Sequence, residues 1–303
     1  MFRLKDFVLL LVIFATMLAG IVFARASAVF QPYPMYCLML LFFLSYIPIR
    51  IEDIVKTVRT SWAAISWVTF IKLLVLPAAV YLLFRGISPE YAVSALLLTG
   101  VSTGVTAPFI AGLVGANTPI VLVFAVVTSV LVPFTLPFLI EVLLSRTTEI
   151  SISAMFRLLA FVIFVPMIVA EVLRKITSSS LDRVMKKQYP LSLILFAVIN
   201  LGVFSKYADF FRQDPAVILQ AVFVSVILSF IYFAAGILLF LRRPVQDQTA
   251  GAVIFGNMNN VLVIVFSSHF FGALEPTVAA LYLIPYFGLI FVLRAYGAIK
   301  NSL

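Results

Sequence analysis

The chain is 303 residues long, 64% hydrophobic and 11% charged, with a mean hydropathy of +1.19. A soluble domain cannot cover so much apolar surface, so composition defines a polytopic membrane protein. The formal charge of +9 does not denote nucleic-acid binding, because the basic residues fall in short loops between apolar segments, where they set membrane orientation.

Ten apolar stretches approach the roughly 20 residues needed to cross a hydrocarbon core of about 30 Å. They cover residues 6–24, 33–49, 61–84, 90–115, 117–141, 152–173, 190–208, 215–241, 249–270 and 276–298. The first lacks a small-residue cleavage site followed by a soluble domain, so it reads as a span rather than a signal peptide. Alternate loops differ in their basic content. Arg3, Lys5, Arg50, Lys56, Arg59, Arg174, Lys175, Arg183, Lys186, Lys187, Arg242, Arg243, Arg294 and Lys300 lie on one side, and Arg25, Arg85, Arg146, Arg157, Lys206 and Arg212 on the other. That bias predicts cytoplasmic termini, in a plasma or bacterial-type inner membrane. The single cysteine, Cys37, sits in an apolar run and forms no internal disulfide.

Two spans are interrupted. The fourth contains Gly100, Ser102, Thr103, Gly104, Thr106 and Pro108, and the ninth contains Gly256-Asn257-Met258-Asn259-Asn260. Glycine and proline break helices, and backbone freed from the helical ladder inside a bilayer survives only where protein or a water-filled cavity meets it. The interruptions sit five spans apart, and five is odd, so the second half enters from the opposite side. The chain therefore reads as two inverted five-helix repeats, residues 1–145 and 146–303, with Pro133 and Pro285 in the spans that follow the breaks. A packing kink would account for one interruption, but three amides in one kink exceed what packing needs.

Lys72 stands twelve residues into the third span, about 17 Å from either end at about 1.5 Å per residue. Its side chain cannot snorkel that far, and a lysine left in lipid costs about 2.5–3.5 kcal/mol on insertion scales. It must face the protein interior.

At these residues the chain resembles the bile acid:sodium symporter family. The resemblance is carried by the broken fourth span, Leu113 to Asn117, Val-Pro-x-x-x-Pro at Val132 to Pro137, Leu-Pro-Ala at Leu76 to Ala78, Gly256 to Asn260, and Ser-His-Phe at Ser268 to Phe270. It implies an all-α membrane fold of ten helices, with helices one, two, six and seven as a panel. The other six form a core in which discontinuous helices four and nine cross. The resemblance departs at the positions where the family holds sodium. Ala107 and Pro108 replace a Ser-Asn pair, Val121 and Ala125 replace hydroxyls, and Val253, Ile254 or Phe255 replaces a Glu. Lys72 stands where the family has a Gln. The expectation is that the ammonium of Lys72, held among carbonyl oxygens at the crossing, substitutes for the ions. If it keeps its proton the carrier is an uncoupled facilitator; if it releases it, transport is proton-coupled.

Half-helix N-termini at the breaks favour an anion. The candidate contacts are Ser102, Thr103, Thr106, Pro108, Asn257, Asn259 and Asn260, with Phe109, Phe255 and Tyr286 as candidate lining. The predicted activity is alternating-access transport of a small organic anion, with the lipid bilayer as the other partner, no nucleic acid and no cofactor. His269 reads as a backbone-bonded residue, and Glu141 and Glu171 as solvated span ends. No His/Cys/Asp/Glu cluster has metal spacing and no phosphate-binding loop is present, so an enzyme is not expected. Three alternatives stay open: a sodium-coupled organic anion or bile acid symporter, an auxin-efflux-type carrier, and a membrane sensor that binds ligand without moving it.

Overall fold

The computed structural model describes residues 4–104, 106–144, 151–176, 178–213 and 216–302. Among these the chain is helical, with one isolated bridge in place of any strand. In chain order the main helices are α1 (Leu4–Val22), α2 (Pro34–Tyr46), α3 (Ile51–Thr60), α4 (Trp62–Ile87), α5 (Ala92–Gly100) and α6 (Ala107–Val114). They are followed by α7 (Thr118–Leu144), α8 (Ile152–Ile176), α9 (Gln188–Lys206), α10 (Ala216–Leu239), α11 (Val245–Gly256), α12 (Asn260–Phe270) and α13 (Leu274–Gly297).

Six of these, α4, α7, α8, α9, α10 and α13, are long and apolar enough to cross a membrane in one piece. Large apolar side chains face outward along them, including Trp67 at 60% and Phe223 at 67% exposure, as a lipid-facing surface requires. The remaining expected spans are not single long helices. α1 turns through 109° into Ala24–Phe30, α2 has 13 residues, and the fourth and ninth spans each divide in two.

The divisions follow from local chemistry. α5 stops at Gly100, Val101 turns to extended backbone, and α6 restarts with Pro108 in its first turn, where a missing N–H costs nothing. α6 ends on Gly115 at φ 69°, a left-handed conformation natural to glycine. α11 stops at Gly256, and Asn259 opens α12 by accepting the Leu262 N–H at 3.3 Å.

Proline also explains the shape of α4. Pro77 has no N–H to give Leu73, and its ring presses on that carbonyl. The helix relaxes into a π turn over Ile71–Val75, closed by the Leu76 N–H on the Ile71 carbonyl. Lys72 rides on that turn.

α1 runs along α9, and α2 along α8 and α9. α4 packs on α5, α10 on α11, α6 on α7 and α12 on α13. The α10–α11 contact is backbone on backbone: a Cβ on Gly236 would lie 2.2 Å from the Gly251 carbonyl oxygen. Only glycine admits that approach.

Candidate substrate and ion site at the helix crossing

The two breaks meet. Thr103 and Met258 form the antiparallel bridge. Beside it the Gly104 N–H donates to the Asn257 carbonyl at 2.6 Å, and the Asn259 N–H to the Ser102 carbonyl at 3.0 Å. Thr103 closes the crossing from its side chain, donating to the Ile254 carbonyl at 2.9 Å, while its N–H donates to Thr128 Oγ1 at 3.0 Å. Tyr282 donates to the Gly256 carbonyl at 2.6 Å, taking up the C-terminal end of α11. These bonds satisfy within the protein several of the backbone groups that the breaks free, as a membrane interior demands.

Lys72 is fully buried and lies behind this crossing. Its Nζ donates to Met258 Sδ at 3.3 Å and stands 5.6 Å from the centre of the Phe255 ring. This differs from the cage of carbonyl oxygens expected above, and the reason is visible. The carbonyls of Ser102, Ile254, Gly256 and Asn257 already accept from the crossing itself or from Tyr282. The amine instead meets a polarisable thioether and an aromatic face. Among the described residues no carboxylate lies within 4.0 Å of it; the ion pairs there involve Glu171 with Arg174 and Lys175, and Asp209 with Arg212.

On the other side of the crossing a crevice of about 470 Å³ opens. One wall is Leu38, Leu41 and Phe42 of α2 with Gln188, Ser192 and Phe196 of α9. The facing wall is Thr106, Pro108, Phe109, Leu122, Asn259 and Val261. A smaller cavity of about 80 Å³ adjoins it, reached by Thr106, Met258, Asn259, Asn260 and Tyr286. Among the described residues, the Ser102 hydroxyl, both side-chain polar atoms of Asn257 and of Asn260, and the Asn259 Nδ2 are buried with no hydrogen-bond partner. Such groups cost free energy unless a ligand or water meets them.

The candidate residues therefore divide. Thr106, Pro108 and Asn259 border the crevice, and Asn260 the smaller cavity. Thr103 is committed to the crossing, while Ser102 and Asn257 lie inside it without bordering either space. Phe109 lines the crevice, Phe255 lies beneath Lys72, and Tyr286 exchanges a hydrogen bond of 2.8 Å with Thr106. Ala107, Val121, Ala125, Val253 and Ile254 are buried and apolar. His269 Nδ1 lies 2.8 Å from the Val265 carbonyl oxygen, and Glu171, read above as solvated, pairs with Arg174. Sequence reasoning passed over Met258 as a partner for Lys72. Its place among the three amides, after Asn257 and before Asn259 and Asn260, was the available signal.

The sequence profile of the sodium bile acid symporter family matches residues 35–214. That is more than half of the chain, and the chain belongs to this family of membrane transporters. The match takes in the first broken helix and Lys72; the second break lies beyond it. No curated protein matches the chain significantly.

Proposed function

We propose that the chain carries a small organic anion by alternating access, without sodium, and that Lys72 supplies the positive charge that ions supply in relatives. The observation that carries the reading is the fully buried Lys72 amine bonded to Met258, a residue of the crossing itself. Of the positions at which the family resemblance departs from a sodium site, Ala107, Pro108, Val121, Ala125 and the Val253–Phe255 position carry no ligating side chain, and the Gln position holds Lys72 itself.

The inverted-repeat arrangement is part of the same proposal. Exchanging each helix with its counterpart five spans later turns the α1–α9 contact into α8–α2, α4–α5 into α10–α11, and α6–α7 into α12–α13. All six contacts occur. On this reading α1, α2, α8 and α9 form the panel, and the helices around the crossing form the core that rocks against it.

Charge and shape favour an amphipathic anion. The N-termini of α6 and α12 point partial positive charge toward the crevice, Thr106 and Asn259 offer donors, and the remaining wall is mainly apolar. The crevice reaches Pro48, Ile49 and Gln188, beside the basic segments at Arg50 and Lys186-Lys187, so positive-inside sidedness makes it open to the cytoplasm.

The test is flux in proteoliposomes across a panel of organic anions, with sodium and with a large inert cation. Uptake indifferent to sodium is expected. Uptake driven by a sodium gradient overturns the reading, and ligand binding without flux identifies a sensor. Adding a proton gradient then separates facilitator from proton-coupled carrier.

A further inference from the structure

Two of the four half-helices end against a cation. Arg294 Nε donates to the Leu113 carbonyl at 2.9 Å, at the end of α6. Lys206 Nζ donates to the Ser268 carbonyl at 2.7 Å, near the end of α12, and the Tyr207 hydroxyl donates to the same oxygen at 3.1 Å. Each cation occupies a carbonyl that the helix leaves without a partner, and each sits at the negative end of the helix dipole.

The two caps differ in what they join. Arg294 belongs to α13, which packs on α6 and α11, so its bond stays within the helices around the crossing. Lys206 belongs to α9, which packs along α1 and α2, so its bond ties that group to α12. At the other end of α9, Gln188, Tyr189 and Ser192 line the crevice, where the same two groups stand apart. The protein is thus parted at one end of α9 and fastened at the other.

We propose that the grip of Lys206 and Tyr207 on the end of α12 is a gate that holds shut the face opposite the crevice. Its release is then an obligatory step in exposing the substrate site on that face. This rests on the alternating-access reading above. A static structural cap, such as Arg294, has no reason to bridge a boundary that moves.

Two cysteine reporters in a Cys37→Ser background test the gate. Ser192→Cys reports the crevice, and Ser268→Cys reports the space behind the gate while keeping the carbonyl that Lys206 binds. Sealed vesicles are labelled from each face with a membrane-impermeant maleimide. Lys206→Gln removes a charge-assisted hydrogen bond, so labelling of Ser268→Cys from the face opposite the crevice should rise about tenfold while Ser192→Cys labelling falls. Lys206→Arg, which restores a cationic donor, should return the ratio toward the parent, and Arg294→Gln should leave it unchanged. An unaltered ratio in Lys206→Gln, or an equal shift in Arg294→Gln, overturns the gate. Labelling of one reporter from both faces at once denotes a leak and sinks alternating access instead.

Discussion

Lys72 and Met258 are 186 residues apart in sequence, yet the lysine Nζ lies 3.3 Å from the methionine Sδ. Met258 pairs through its backbone with Thr103, so one residue carries the bridge between the broken helices and also receives the buried amine. A change in the lysine's charge therefore acts directly on the crossing.

Lys72→Met replaces the ammonium with an apolar side chain of similar length. Removing an isolated buried charge leaves the fold intact or stabilises it. The melting temperature should stay level or rise while anion uptake falls at least tenfold, on the order of 1.4 kcal/mol or more. Thermal melting in detergent alongside proteoliposome uptake checks both; undiminished uptake removes Lys72 from the mechanism.

Gly104→Ala tests the closeness of the crossing. The added Cβ would stand 2.9 Å from the Met258 carbonyl oxygen, which is backbone and cannot swing aside. Overpacking of this kind costs about 1–3 kcal/mol, so the variant should melt earlier and transport poorly. Normal stability would mean that the two breaks separate readily.

Asn259→Asp divides stability from function. Aspartate caps a helix as well as asparagine does, and its charge suits a helix N-terminus, so stability should hold. The new charge borders the crevice and repels an anion, so the apparent KM should rise at least tenfold. Unchanged transport would argue for a cationic or neutral substrate.

Tyr282→Phe removes the 2.6 Å donor of the Gly256 carbonyl, at the end of α11, and leaves it the Met258 N–H at 3.2 Å. Losing one of two buried hydrogen bonds costs about 0.5–1.5 kcal/mol. The melting temperature should drop accordingly, and the loss should be smaller in Tyr286→Phe, where Thr106 keeps access to the crevice.

Much of the helical layout was legible because a bilayer leaves few options: apolar runs must be helices, and glycine, proline and amides in mid-run must mark breaks. The interruptions at Gly100 to Pro108 and Gly256 to Asn260 were read at the right places for that reason. That Lys72 is buried followed from its depth alone. What it touches did not follow, since the register of Met258 against Thr103 depends on how two distant segments cross, and on carbonyls already engaged there. Thr103 was read as a ligand contact because hydroxyls look alike in sequence; its bonds to Ile254 and Thr128 tie it to the crossing. Lys206 was read only as a loop charge, since nothing in a linear chain says that it will meet Ser268.

α9 is one unbroken helix of 19 residues, about 28 Å long, with the crevice at its first turns and the Lys206 contact at its last. A stiff rod pivoting near its middle cannot swing both tips the same way. Under the proposed alternating access, a tilt that admits solvent at Lys206 draws Gln188 inward, so the lever adds to the gate in opposing a conduit open at both mouths.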